Sequence, residues 1–163
     1  NSGVHPRKGI DLLIKALHLL PDNYKLFIVG DGVSREKYQC LSESLGVKDR
    51  IYWAGHREEA YRYLPYYDLY ALPSRSEGFP LSVLEAAAWG KNIICSDIPV
   101  FKELYTNDEV SMFELPNIES LVEAIKRATG NPVYGINAKK KYEQMYSQEV
   151  FYNRHLKIYK GDI

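Results

Sequence analysis

Two cysteines in 163 residues, Cys40 and Cys95, are too few and too widely spaced for a disulfide framework, and they match no zinc or redox motif. They read as two reduced thiols. No apolar run approaches the roughly 20 residues needed to span a bilayer, and no signal-peptide pattern opens the chain. A soluble, cytoplasmic protein is expected. The 21 Lys and Arg balance the 21 Asp and Glu, so there is no surplus of one sign to form a broad basic face. Nucleic acid is excluded as an expected partner, and any anion site must be local. No G-x-G-x-x-G follows a strand, which disfavours an NAD-dependent enzyme. The start, Asn1-Ser2-Gly3, has no Met and drops into a loop, as a fragment would.

What is present is alternation. Ile10, Leu13, Ile14, Leu17 and Leu20 recur at helical spacing until Pro21-Asp22-Asn23 stops them, and the short apolar run Lys25 to Val29 reads as a buried strand ended by Gly30-Asp31-Gly32. The pattern continues with helix 34–45, strand 51–53, helix 58–64, strand 69–72, helix 80–89 and strand 92–95. Then come a helical turn from Pro99 to Leu104, a strand over 110–113, helix 118–128 capped by Asn117, and a Tyr-rich helical tail in two parts, 139–146 and 147–159. Continuous apolar strands alternating with helices predict a doubly wound, Rossmann-like α/β fold: a parallel sheet with helices on both faces. A single domain is expected, with a core over about 1–130 and a tail over 131–163.

In such sheets ligands bind beyond the carboxyl ends of the strands. The most informative loop there is Ser74-Arg-Ser-Glu-Gly-Phe-Pro-Leu-Ser82. Pro80 suits the first helical position, which leaves Phe79 at the cap, and Phe cannot accept from the next N–H groups as Ser or Asp would. The N–H groups of Leu81 and Ser82 are thus expected to be open, at the positive end of the helix dipole, with Gly78 allowing close approach. That is a phosphate site. Glu85, in the second turn, is an acceptor-only carboxylate suited to a ribose diol, although such a Glu by itself ordinarily just complements the dipole. Glu77 would repel a phosphate and is assigned to hydroxyls. Arg7 and Lys8, followed by Gly9, supply positive charge from the start of the first helix, where a basic pair alone is more often a solvated loop. Together these features fit a nucleotide sugar better than a hydrolase's carboxylate pair.

These residues resemble the C-terminal, donor-binding domain of retaining GT-B glycosyltransferases. The matching pieces are P6-R-K-G-I-D-L-L-I-K-A16, K25-L-F-I-V-G-D-G32, I51-Y-W-A-G55 and the E-x7-E segment from Pro73 to Ala88, in order over roughly 6–130. The resemblance implies a hexosyltransferase that takes a UDP-, GDP- or ADP-hexose, needs no metal or cofactor, and passes the sugar to a glycan or lipid-linked acceptor. Surface polysaccharide or glycoconjugate synthesis, with peripheral membrane association of the whole enzyme, is the role implied. Lys8 corresponds to the lysine on the donor diphosphate and Glu77 to the acid on the sugar, the two catalytic candidates. Glu85 corresponds to the acid on the ribose, and backbone at Phe79, Pro80, Leu81 and Ser82 to the phosphate and sugar contacts. Gly55, His56 and Arg57 correspond to the loop lining the base pocket.

Two features depart from the resemblance. Ser2 stands near the place of a Gly-Arg pair whose Arg reaches the phosphates, leaving open whether Arg7 takes its place. Asp97-Ile98-Pro99-Val100 replaces a Gly-Gly loop. The first central strand and the N-terminal acceptor domain have no counterpart in this sequence, so the chain alone is expected to bind donor without turning it over. There is also no D-x-D segment of the kind that holds a divalent ion on a diphosphate. Alternative readings are a nucleotide-sugar epimerase and a non-catalytic nucleotide-sugar-binding module.

Overall fold

The computed structural model describes residues 3–160, so Ser2 and residues 161–163 of the tail lie outside the described part. After a 3₁₀ turn at Pro6–Lys8 come α1 (Ile10–Leu19), β1 (Leu26–Val29) and α2 (Arg35–Ser44). A turn at Lys48–Arg50 leads into β2 (Ile51–Gly55), a 3₁₀ stretch at Ala60–Tyr66, β3 (Leu69–Leu72) and α3 (Leu81–Ala88). The chain ends with β4 (Asn92–Ser96), α4 (Pro99–Leu104), β5 (Ser111–Phe113), α5 (Ile118–Ala128), α6 (Val133–Met145) and α7 (Gln148–Lys160).

Side-chain alternation along the strands builds two cores. On β4, Ile93 and Cys95 face a cluster with α3, α4 and Ala138 of α6, while Ile94 faces the opposite cluster with α1 and α5. Burying each of those isoleucines is worth about 1.5–3 kcal/mol over leaving it in water. A third cluster, containing Ile14, Ile28 and Tyr38, packs α1 and α2 onto β1. Helices therefore cover both faces, as the alternation requires. α5 begins where Asn117 accepts from the Ser120 N–H at 2.9 Å, and its Leu121, Ala124 and Ala128 are wholly buried.

The expected single sheet is instead two parallel sheets, β1-β2 and β3-β4-β5. Among the described residues β1, β2, β3 and β5 each pair on one side only. Residues 25–29 and 68–72, along β1 and β3, line one cavity of about 990 Å³, together with Ile10 and Leu13 of α1 and Leu64 and Tyr67 of the 3₁₀ stretch. That stretch replaces the helix expected over 58–64, because Pro65 inside it offers no N–H for an α-helical bond. Other boundaries move by a residue or two, except that α6 starts at Val133, six residues before the expected tail helix.

Candidate functional site

The carboxyl ends of β1 and β3 are brought together by the chain before α1. Val4 N–H donates to Asp31 O at 2.9 Å beyond β1, and Arg75 N–H donates to Arg7 O at 2.7 Å beyond β3. Gly9, at φ 68°, lies against Pro73 so closely that a Cβ there would sit 1.9 Å from the Pro73 carbonyl oxygen. Packing at this point requires glycine.

This contact carries Lys8 to Glu77. Lys8 Nζ donates to Glu77 Oε1 at 2.7 Å, and the two side chains are only 15% and 8% exposed. Ser74, wholly buried, donates from Oγ to the same Oε1 at 2.6 Å, and Ser96 Oγ from the end of β4 donates to the Ser74 carbonyl. Glu77 Oε2 accepts no hydrogen bond among the described residues. One carboxylate oxygen is thus fixed and the other is available. Ser74 and Ser96 lie outside the residues picked from sequence, since a Ser in a loop announces no partner 22 residues away.

The start of α3 differs from expectation by one position. Pro80 is the N-cap, with ψ 73°, and the helix begins at Leu81. Proline's carbonyl accepts from Val83 at 2.9 Å and from Leu84 at 3.4 Å, while the Leu81 N–H turns back to Phe79 O at 3.0 Å. Leu81 is therefore not an open donor. No side chain caps the helix, and the N–H groups of Gly78, Phe79 and Ser82 find no acceptor among the described residues. A Cβ on Gly78 would meet nothing within 4 Å, so the space beside that loop is open. Phe79 is 55% exposed and the adjacent Pro80 is buried.

Ser82 and Glu85 line the same cavity as Lys8. Beneath them lies Tyr70 of β3, whose phenol is pushed up to about 12, first by burial and then by the charges of Glu85 and Glu77, against a hydrogen bond from Ser82 that lowers it. Tyr70 too was not legible as a site residue, because a Tyr in a strand reads as core. Arg7 is exposed, and its guanidinium has no hydrogen-bond partner among the described residues. Gly55, His56 and Arg57 lie at the end of β2, where Gly55 adjoins Asp31 and Arg35. Arg57 Nη1 donates to the His56 carbonyl at 3.0 Å. The structure thus brings Lys8, Glu77, Ser82 and Glu85 to one region, with the β2 loop beyond β1. At the replaced Gly-Gly loop, Asp97 is held by Lys102 at 2.9 Å and by the Leu115 N–H at 3.1 Å, which keep its carboxyl below the usual range.

In doubly wound parallel folds ligands bind beyond the carboxyl ends of the strands, and here that end carries a cation and two acids. The chain belongs to the family Glycosyl transferases group 1, whose family model matches residues 3–149. It is 32% identical over 131 residues to the O-antigen biosynthesis glycosyltransferase WclY of Escherichia coli, covering 78% of this chain and 36% of that protein. It is 34% identical over 125 residues to the UDP-Gal:α-D-GlcNAc-diphosphoundecaprenol α-1,3-galactosyltransferase of Escherichia coli, covering 75% and 32%. Among solved structures, HepE of Anabaena in complex with UDP-glucose superposes with a TM-score of 0.85 at 21% identity, covering 99% of this chain and 47% of that one. That likeness shows one half of a GT-B fold. The chain spans about a third of the length of these two relatives. Both are transferases, and the epimerase reading draws no support from them. Among the described residues no helix is long and apolar enough to cross a membrane.

Proposed function

We propose that this chain is the donor-binding half of a retaining hexosyltransferase that moves a sugar from a nucleoside diphosphate to a glycan or lipid-linked acceptor in surface polysaccharide synthesis. The observation that carries the reading is the Lys8–Glu77 pair: a cation from the turn before α1 and an acid from the loop after β3, 2.7 Å apart, with Lys8 lining the cavity that Ser82 and Glu85 also line. Lys8 leaves Glu77 to meet the donor's diphosphate. Glu77, held through Oε1 by Ser74, turns its unengaged Oε2 to the hexose hydroxyls. The Ser82 N–H and the α3 dipole meet the second phosphate, Arg7 reaches it from outside, Glu85 accepts from the ribose diol, and the Gly55-His56-Arg57 loop borders the base.

Catalysis on this reading is stabilisation of negative charge on the departing diphosphate, by Lys8 and the helix end and without a metal. Loss of one well-placed donor of that kind typically costs on the order of 100- to 1000-fold in rate. The acceptor is supplied by a domain outside this sequence, in keeping with the chain's share of its relatives' length. The cavity between the one-sided strands β1 and β3 is the seat of the first central strand that the resemblance implies. The whole enzyme works in the cytoplasm at the inner face of the membrane.

Calorimetric titration of UDP, GDP and ADP against the 163-residue chain tests the reading. The UDP-galactose donor in one relative's name makes UDP the first to try. Saturable heat from one of them, with affinity weakened at least tenfold in Lys8→Ala, is expected, and no heat from any of the three overturns the donor site.

A further inference from the structure

Arg75 stands two residues before Glu77, with a side chain 37% exposed, and a lone ion pair on such a surface is ordinarily worth little. Its bonding here is unusual in direction. Nη1 donates to Asp11 Oδ1 at 3.0 Å and Nη2 to Asp11 Oδ2 at 2.7 Å, a fork-to-fork pair across 64 residues. Nη1 also donates to the Pro6 carbonyl at 2.6 Å, and the Arg75 backbone N–H donates to the Arg7 carbonyl at 2.7 Å. All these bonds run from the loop that carries Glu77 to the segment that carries Lys8, and they grip that segment on both sides of Lys8. The Asp11 side is anchored, because Asp11 sits in the first turn of α1 between the buried Ile10 and Leu12. A planar guanidinium can satisfy a carboxylate and a carbonyl at once in fixed geometry, which a lysine ammonium cannot reproduce.

We propose that Arg75 is a positioning residue, a clamp that sets the separation of Lys8 and Glu77 by tying the loop after β3 to the Pro6–Asp11 segment, with Asp11 as its partner. The proposal rests on the donor site assigned above. Arg75 acts through Lys8 and Glu77 and makes the site a preformed one, so that little ordering is left to be done when a nucleoside diphosphate arrives.

The test compares wild type, Arg75→Ala, Arg75→Lys, Lys8→Ala and the Lys8→Ala/Arg75→Ala double variant by UDP titration, with thermal melting alongside. Arg75→Ala is expected to weaken UDP binding roughly tenfold, the scale of one charge-assisted contact, with Arg75→Lys recovering little of it. In the Lys8→Ala background the same substitution is expected to add almost nothing to the binding loss, although it still lowers the melting temperature. A purely structural Arg75 would give the same binding loss in both backgrounds, and that result, or unchanged binding in Arg75→Ala, overturns the proposal. If Arg75→Ala does not fold, Asp11→Asn, which keeps the shape and one acceptor, carries the same comparison.

A ligand-free measurement separates this inference from the donor assignment. Acetylation of Lys8 by a small anhydride, followed by mass spectrometry, is expected to be slow in wild type and faster in Arg75→Ala. Faster labelling without UDP binding in wild type would sustain the clamp and overturn the donor site. Equal labelling in the two proteins would overturn the clamp.

Discussion

Lys8 Nζ and Glu77 Oε1 meet at 2.7 Å across 69 residues of sequence, and the same Glu77 oxygen accepts from Ser74, while the acid's other oxygen has no partner among the described residues. The lysine's charge is therefore already met by Glu77, and on the proposed donor reading the acid competes with an incoming anion for it. This makes the two partners unequal.

Lys8→Ala is expected to cost at least tenfold in affinity for a nucleoside diphosphate, because a charge-assisted bond contributes about 1.5–3 kcal/mol. Glu77→Gln keeps the shape and removes the competing charge, so diphosphate affinity is expected to hold or rise while turnover in the whole enzyme collapses. Titration and rate measurements read the two effects separately. A parallel fall in diphosphate affinity for Glu77→Gln would show that the acid does not compete with the ligand for Lys8.

Gly9 and Gly78 flank the same site but differ in what surrounds them. An added Cβ at Gly9 would sit 1.9 Å from the Pro73 oxygen at a φ of 68°, whereas at Gly78 it would meet open space. Gly9→Ala is expected to destabilise by at least the roughly 1–3 kcal/mol of a strained non-glycine backbone, since the loop after β3 must also shift. Gly78→Ala should leave the urea midpoint nearly unchanged. Equal midpoints for the two variants would mean that the Gly9–Pro73 contact is not formed in solution.

The sheet was legible in outline and misread in continuity. Strand identity follows from short apolar runs such as Leu69–Leu72, and α5 from its period and its Asn117 cap, because these signals are local. Pairing is not local, so nothing in the sequence at Leu26 or Tyr70 states that these strands have no described neighbour on their cavity side. The same limit applied at the site. Lys8, Glu77 and Glu85 could be named from residue type and from their resemblance to a known segment. Arg75 and Asp11 look like ordinary surface charges until the fold places one on the other, and the turn of Leu81 N–H back to Phe79 depends on a proline ψ that no residue type dictates.

Hydrogen exchange reads the divided sheet directly. β4 pairs with β3 on one side and β5 on the other, while β1 and β3 each have one partner. The amides of Ile93 to Cys95 are expected to exchange slowest. Those of β1 and β3 that point into the cavity should exchange much faster than their neighbours that point into the ladder, since only the latter are bonded. Uniform protection along both strands would mean that the cavity is closed over in solution.

Burial raises several acids of this fold, the Cys95 thiol and the Tyr67, Tyr70 and Tyr105 phenols among them, and these govern its response to alkali. The Cys95 thiol is pushed up to about 12 by burial, with the Asp97 charge adding to it, and burial likewise takes the Tyr70 phenol up to about 12. Their ordinary values are 9.0 and 10.0, so in alkali the unfolded chain gives up these protons while the folded chain keeps them. By linkage, their contribution is intact below pH about 9 and is lost progressively as pH rises toward about 12. The urea midpoint is expected to fall across that range, and less steeply in Tyr70→Phe, which has no proton to lose. A thiol reagent at pH 8 should modify exposed Cys40 and leave Cys95 untouched until urea is added. A midpoint that stays flat to pH 11, or a second thiol reacting in the folded protein, would show that the β4 core is open to water.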